Sequence, residues 1–131
     1  MTAQRVHEKE LQNVLALDAN ARTSYFIRRV ADWEHVWVLD DDGWATAADD
    51  DGRVAIPMWS AEAFADACRR GAWSAYRPLC VPLDDVVDDV LLHLDHQGVR
   101  VAVFPTPAGK GPIVEPLQLL TWLEEELRQY V

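Results

Sequence analysis

The chain has 131 residues, half of them hydrophobic and 26% charged, which predicts one soluble globular domain over residues 1–131. Its formal net charge of −10 repels nucleic-acid phosphates and anionic lipid, so we expect neither nucleic acid nor a membrane as a partner. The sequence has two cysteines, no apolar signal segment at its start, and no apolar run near the ~20 residues of a membrane span. These features predict a cytoplasmic protein with free thiols.

Two short helices are predicted in the N-terminal part of the chain. Their apolar residues recur at helical spacing, and Asp18 and Asn20 offer capping oxygens for the second helix, near residues 20–32. The two apolar stripes contain Leu11, Val14, Leu15, Phe26, Val30 and Trp33. The second helix also carries Arg22, Arg28 and Arg29, which we interpret as a solvated face.

The pattern then changes to period two and predicts three antiparallel strands in a meander, near residues 35–40, 44–48 and 53–58. Asp-Gly pairs at 42–43 and 51–52 separate the apolar runs, and this pair is a strong hairpin signal because both residues tolerate positive φ. The acidic triplets ahead of the two glycines do not have the spacing of a calcium-binding EF-hand loop. Solvated turns are therefore the preferred interpretation.

A third helix and a short strand are predicted next. Ser60 is a suitable N-cap for the helix AEAFADACRR, and Gly71 a suitable end. YRPLCVPL (76–83) is typical of a short buried strand. We expect Cys68 on the helix and Cys80 in the strand to be buried, inert thiols.

The remaining residues predict two helices around a central strand. Residues 83–97 form the clearest amphipathic helix, residues 99–106 a continuous apolar strand, and Pro116 opens the last helix. The strand–helix–strand unit over residues 78–105 would be a parallel crossover if both strands join one sheet. The predicted fold is α+β: a mixed five- to six-stranded sheet begun by an antiparallel three-strand meander, with an N-terminal helical hairpin and further helices packed on the sheet.

The tripeptide Gly109-Lys110-Gly111 resembles part of a phosphate-binding loop. Such a loop needs GxxxxGK followed by Ser or Thr, between a strand and a helix. Here Phe104 occupies the first glycine position and Gly111 follows the lysine. A plain turn is the preferred interpretation, with Lys110 as a point charge that can attract an anionic ligand.

Reactive motifs do not emerge from the sequence. It contains no GxSxG or HExxH motif, and no cysteine stands beside a histidine. His93 and His96 lie three apart on the amphipathic helix but have no evident third metal ligand. We therefore predict no catalytic residue, metal site or cofactor.

The six tryptophans are the unusual feature of the composition. Trp44 follows a predicted turn, Trp59 a strand end, and Trp73 a helix end, so these three are predicted to line an exposed surface. With the neighbouring FPTP segment they give a predicted binding set of Trp44, Trp59, Trp73, Phe104, Thr106 and Lys110. The alternative for each tryptophan is packing in the core.

Four segments carry a resemblance to a known family: DWEHVWVLDDDGWA (32–45), GRVAIPMW (52–59), PLCVPLDD (78–85) and GVRVAVFPTPAGKG (98–111). The chain resembles, over nearly its whole length, the bacterial domain-of-unknown-function family number twenty-seven fifty. The resemblance implies a small cytosolic bacterial protein without assigned activity or catalytic residues. A weaker likeness, to the N-terminal domain of SseB-type proteins, implies an interaction or regulatory module. The FPTP segment departs from the Asn-Pro of that group.

Two functions remain open from the sequence. The first is a non-enzymatic protein-interaction module, immunity-like or regulatory, that meets a partner protein with a basic surface through its tryptophan-bearing face. The alternative is a small-ligand-binding domain or enzyme with a tryptophan-lined pocket near the FPTP segment, bounded by Trp44, Trp59 and Lys110. A homodimer is also possible from the sequence. A third interpretation is purely structural and places all six tryptophans in the core.

Overall fold

The computed structural model describes residues 6–130, without the side chain of Tyr130. Residues 1–5, part of the segment in which no apolar signal is expected, lie outside the described residues. The elements in chain order are α1 (Glu8–Leu15), α2 (Ala19–Trp33), β1 (His35–Asp40), β2 (Ala47–Ala48), β3 (Val54–Met58), α3 (Glu62–Ala67), β4 (Arg77–Pro82), α4 (Leu83–Asp85), α5 (Leu91–Gln97), β5 (Arg100–Val103), β6 (Ile113–Val114) and α6 (Pro116–Leu127).

The predicted N-terminal helices are confirmed. Of the two predicted capping residues, Asp18 is the N-cap of α2: its side chain accepts a hydrogen bond of 2.8 Å from the backbone N–H of Ala21, and Asn20 lies inside the helix. Glu34 adopts a left-handed conformation and ends the helix. The hydroxyl of Tyr25 donates to the carboxylate of Glu10 at 2.8 Å, which joins α2 to α1.

The strands form two sheets, in the orders β1–β4 and β2–β3–β5–β6. The pair β3–β5 is parallel, and the other pairs are antiparallel. An isolated bridge joins the sheets where Trp37 and Trp59 exchange backbone hydrogen bonds of 2.7 and 2.9 Å. The α+β class is confirmed, but the predicted arrangement, one mixed sheet of five to six strands, is not what the chain forms.

The first half of the predicted meander is wrong. β1 pairs along one edge with β4, and on its other edge Trp37 is already paired with Trp59. The segment after the first Asp-Gly turn therefore meets β1 only at its end, through an Asp40–Trp44 bridge and a nearby backbone bond. The second half is confirmed, since β2 and β3 form an antiparallel hairpin across Gly52.

β4 is an edge strand, not the short buried strand that the sequence predicts. Only Val81 is buried along it, and Cys80 is exposed, so the expectation of two buried thiols is wrong for Cys80. Pro78 and Pro82 alternate with the residues that bond β1, so the open edge lacks two N–H donors. β4 and β5 lie in different sheets, and the parallel partner of β5 is instead β3.

Ser60 does not cap α3. The N-cap is Ala61, while the hydroxyl of Ser60 is fully buried and has no hydrogen-bond partner among the described residues. Ser60 directly follows the bridge residue Trp59, so its side chain is held in the interior instead of at the helix end. Nor does Gly71 end the helix: α3 stops at Ala67, and Gly71 begins a separate 3-10 turn.

The predicted amphipathic helix at 83–97 contains a π-helical turn over Val86–Val90, between α4 and α5. A π turn has hydrogen bonds between residues five apart, and its wider turn brings Val86 and Leu91 to the same side of the helix. Both are buried, together with Leu83 and Leu94. The sequence located this helix correctly, but an ideal α-helical stripe did not anticipate the wider turn.

Phe104, directly after β5, lies at the centre of the core. It is fully buried, and its ring centroid lies 4.7 Å from that of Phe64 and 6.4 Å from that of Phe26. Its φ of 52° is in the left-handed region, which a bulky residue adopts only where surrounding contacts hold it. The chain turns sharply there and leaves the sheet for the surface.

Candidate functional site at the carboxyl ends of the parallel strands

The loops that follow β3 and β5 leave the same edge of the sheet, because these two strands are parallel. In open α/β sheets, ligands bind outside the carboxyl ends of parallel strands. After β5 the chain forms a hairpin turn at residues 105–110, exposed at residues 107–110, which we call the tip loop. The N–H of Thr106 donates to the carbonyl of Gly109 at 2.8 Å, and Gly109 donates back at 3.1 Å. Gly-Lys-Gly is therefore part of a turn between β5 and β6, as predicted.

Buried side chains hold the base of the tip loop. The carbonyl of Pro105 accepts hydrogen bonds from Trp59 Nε1 at 2.8 Å and from Cys68 Sγ at 3.4 Å. The carbonyl of Phe104 accepts one from Arg22 Nε at 3.2 Å. Three donors from α2, α3 and the end of β3 thus fix two consecutive carbonyls beneath an exposed loop.

Arg22 is buried, so its predicted place on a solvated face is wrong. Its guanidinium donates to Phe104 and to the carbonyl of Leu17, and it makes no ion pair within residues 6–130. A buried guanidinium without a carboxylate depends on such carbonyl dipoles. Sequence reasoning missed this role because the three arginines of α2 look alike, and only packing separates the buried one.

Trp59, which was predicted to line an exposed surface, is buried, and so is Phe104 of the predicted binding set. Both are 0% exposed, since β3 and β5 end inside the core. Trp44 lies at the end of β1, beside Asp40, and does not line the depression described next. Trp59 and Phe104 could contact a ligand only if the core opened.

An open depression of about 270 Å³, the Trp73 depression, lies over this buried floor. Its lining consists of Trp73, Pro105, Thr106, Pro107, Ala108, Gly109 and Lys110. The structure thus brings together Trp73, Thr106 and Lys110 of the predicted binding set. Trp73 Nε1 donates to the carbonyl of Thr46 at 3.3 Å, which fixes the indole.

A second, polar pocket of about 450 Å³, the Arg100 basin, lies on the other side of Lys110. Arg100 donates to the carboxylates of Asp49 and Glu115, at 2.6 Å each. Burial alone would raise the pKa of Asp49, but hydrogen bonds from Arg53 N–H, Arg100 and a nearby backbone N–H together hold that pKa below its usual value. The first aspartate of the second acidic triplet is therefore a structural residue.

Lys110 stands between the two pockets and lines both. Its ammonium donates to the carbonyl of Ala48 at 3.3 Å and forms no ion pair within the part of the chain that the structure describes. Asp50 and Asp51 are exposed on the far side of the basin. The surface here therefore has three parts: the apolar Trp73 depression, the ammonium group of Lys110, and the exposed carboxylates of Asp50 and Asp51.

Groups with catalytic potential are few here. Burial raises the pKa of the Cys68 thiol to about 11, which disfavours the nucleophilic thiolate near neutral pH. Cys80 is exposed, but partial burial raises its pKa as well. Between residues 6 and 130, no group of three His, Cys, Asp or Glu side chains is placed to hold a metal ion, and no helix is long and apolar enough to cross a membrane.

Comparison with known proteins gives one finding. A family model, DUF2750, described as a protein of unknown function, matches residues 23–123. The matched range includes β1 to β6, the tip loop and Trp73. No curated protein and no solved structure matches the chain.

Proposed function

From the premise that the chain belongs to the DUF2750 family of unknown function, we propose that it is a non-enzymatic protein-interaction module. The observation that carries the proposal is the tip loop, which is exposed at residues 107–110 yet held from beneath by Trp59, Cys68 and Arg22. Binding loops on rigid supports lose little entropy when they bind. Trp73 and the exposed Pro107 provide apolar contact area at the loop.

The proposed partner is a protein with a basic surface, met in the cytoplasm. The chain carries a net charge of −10, and Asp50 and Asp51 are exposed close to the tip loop. Opposite charge on a partner would speed association and select against acidic proteins. An immunity-like protein that masks a basic active site, or a regulatory subunit, has these requirements.

The alternative, a small-ligand site or active site at the same place, has less support. The depression of about 270 Å³ is below the roughly 300–1,000 Å³ of typical ligand pockets. Two residues of the predicted pocket wall, Trp59 and Phe104, lie in the core. The thiol nearest the loop, that of Cys68, is engaged with Pro105.

A photo-crosslinking experiment tests the interaction proposal. p-Benzoylphenylalanine in place of Pro107, on the tip loop, is compared with the same group in place of Thr121, which is exposed on α6. In a lysate of the native host, we expect position 107 to crosslink one basic protein, with a yield that falls as salt rises. Equal crosslinking at the two positions, or none at position 107, would contradict the proposal.

A matched pair of variants supplies the control for binding. Trp73→Ala should abolish capture of the crosslinked protein. Leu79→Ala removes an exposed apolar side chain from β4 and should leave capture unchanged. Loss of capture with Leu79→Ala alone would place the interface on the other sheet.

A further inference from the structure

A groove of about 550 Å³ lies between α2 and α6, which pack side by side. Its volume is within the range of small-molecule sites. The lining residues repeat at helical spacing on both helices: Asn20, Thr23, Ser24, Ile27 and Arg28 from α2, and Trp122, Glu125, Glu126 and Gln129 from α6 and the turn that follows it. Each series spans about 11–12 Å at 1.5 Å per residue.

The floor of the groove is apolar, and its two sides carry opposite charges. Ile27 is buried and the indole of Trp122 is half-buried, so both offer apolar area. Arg28 is on the α2 side, and Glu125 and Glu126 are on the α6 side. Pockets that bind small molecules combine such an apolar floor with a few polar groups that fix orientation.

These charges are uncommitted within residues 6–130. Arg28 forms no ion pair there, although its neighbour Arg29 pairs with Glu10 and Asp32. The two glutamates of the groove also form none, so both signs face the same space more than 4 Å apart. A ligand with both charges would complete two charge-assisted pairs at once.

We propose that the α2–α6 groove binds a small zwitterion, with its carboxylate on Arg28, its ammonium group on Glu125 or Glu126, and its apolar part on Ile27 and Trp122. Free apolar amino acids and short apolar peptides share this chemistry. The site is separate from the tip loop and does not rest on the proposed protein partner. A second copy of the chain is less suited to the groove, because a net charge of −10 on each copy opposes self-association.

A titration followed by ¹H–¹⁵N correlation spectra of the full chain tests the proposal. The readout is the indole N–H signal of Trp122, assigned with Trp122→Phe. The probes are a pool of the apolar L-amino acids and the tripeptide Leu-Ala-Leu, each also in its N-acetylated and C-amidated forms. A saturable shift with the pool identifies free amino acids as the source, and one with the tripeptide alone identifies peptides.

We expect each cap to weaken binding about tenfold or more, since it removes one charge-assisted pair. Arg28→Gln should weaken the uncapped probe by a similar factor and leave the C-amidated probe unaffected. Arg77→Gln, an exposed arginine on β4, is the matched control and should change neither. Three results would overturn the proposal. They are no shift of the Trp122 signal at millimolar probe, equal affinity for capped and uncapped probes, and a Trp122 shift that depends only on the protein concentration.

Discussion

Trp59 and Trp73 lie together at the carboxyl ends of the parallel strands, with ring centroids 6.2 Å apart. Trp59 is 0% exposed, and its indole N–H donates a hydrogen bond to the carbonyl of Pro105. Trp73 is half-buried and lines the depression beside the tip loop. The comparison teaches that two adjacent indoles can differ in role: Trp59 holds the tip loop from beneath, whereas Trp73 remains accessible at the surface.

The largest expected effect separates these two indoles. Trp59→Ala should lower the free energy of unfolding by about 3–5 kcal/mol, because it leaves a cavity in the core and removes the 2.8 Å hydrogen bond from the indole to the carbonyl of Pro105. Trp73→Ala should cost about 1 kcal/mol, as for a partly exposed side chain. Urea unfolding of both variants measures the difference. Equal losses would mean that the two indoles do not differ in burial.

Two glycines on either side of Lys110 provide the next test. Gly111 has a φ of +73°, and a Cβ there would meet the carbonyls of Val103 and Phe104. Gly111→Ala should therefore cost about 1–3 kcal/mol from strain, with more from the contact. Gly109→Ala meets nothing within 4 Å and should change stability by no more than about 0.5 kcal/mol. A reversed order in thermal or urea unfolding would contradict the described path of the chain.

Local signals in the sequence were sufficient for much of the fold. The capping of α2 by Asp18, the β2–β3 hairpin and the turn at Gly109 each depend on residues close together in the chain. Such features follow from short-range sterics and hydrogen bonding. Three residues of the predicted binding set, Trp73, Thr106 and Lys110, line the same depression, and their role in binding stays a prediction.

Strand partners and burial depth could not be predicted in the same way. The partner of β1 is β4, about 40 residues away in the chain, and nothing in the local pattern ranks it above the nearer strand. Likewise, Trp59 and Trp73 are each predicted just after an element end, and only the backbone bridge between Trp37 and Trp59 distinguishes the buried Trp59. Arg22 was missed for the same reason, because its carbonyl partner at Phe104 is 82 positions away.

A substitution at Arg22 tests whether the hydrogen bond to Phe104 holds the base of the tip loop. Arg22→Met keeps the volume but leaves the carbonyls of Phe104 and Leu17 without this donor, at a cost of about 1–3 kcal/mol. Hydrogen exchange at Thr106 should also accelerate as the loop loosens. Arg28→Met, an exposed site on the same helix, is the control and should change neither quantity. Unchanged exchange in Arg22→Met would show that the loop is stable without it.

The smallest expected effect is on the pH dependence of stability and comes from His35, which lies on β1 in the β1–β4 sheet. Burial lowers the pKa of His35, and its Nε2 has no partner within residues 6–130. The unfolded chain then binds a proton more readily, near pH 6.5, than the folded one does. Stability from this residue is therefore fully present above about pH 6.5 and decreases as the pH falls below that value.

Urea unfolding at pH 7.5 and 5.5 measures this loss. His35→Gln should remove part of the difference between the two pH values, whereas His96→Gln, exposed on α5, should leave it intact. An equal reduction in both variants would assign the pH dependence to histidines in general.

Fluorine NMR of the chain labelled with 5-fluorotryptophan tests the central claim most directly. Each of the six resonances is assigned by a Trp→Phe variant, and a neutral gadolinium chelate is then added to broaden the signals of solvent-accessible rings. We predict that the Trp59 signal keeps its width while the Trp73 signal broadens strongly. Broadening of Trp59 to the same extent, or complete protection of Trp73, would contradict the division between a buried, supporting indole and a solvent-accessible one.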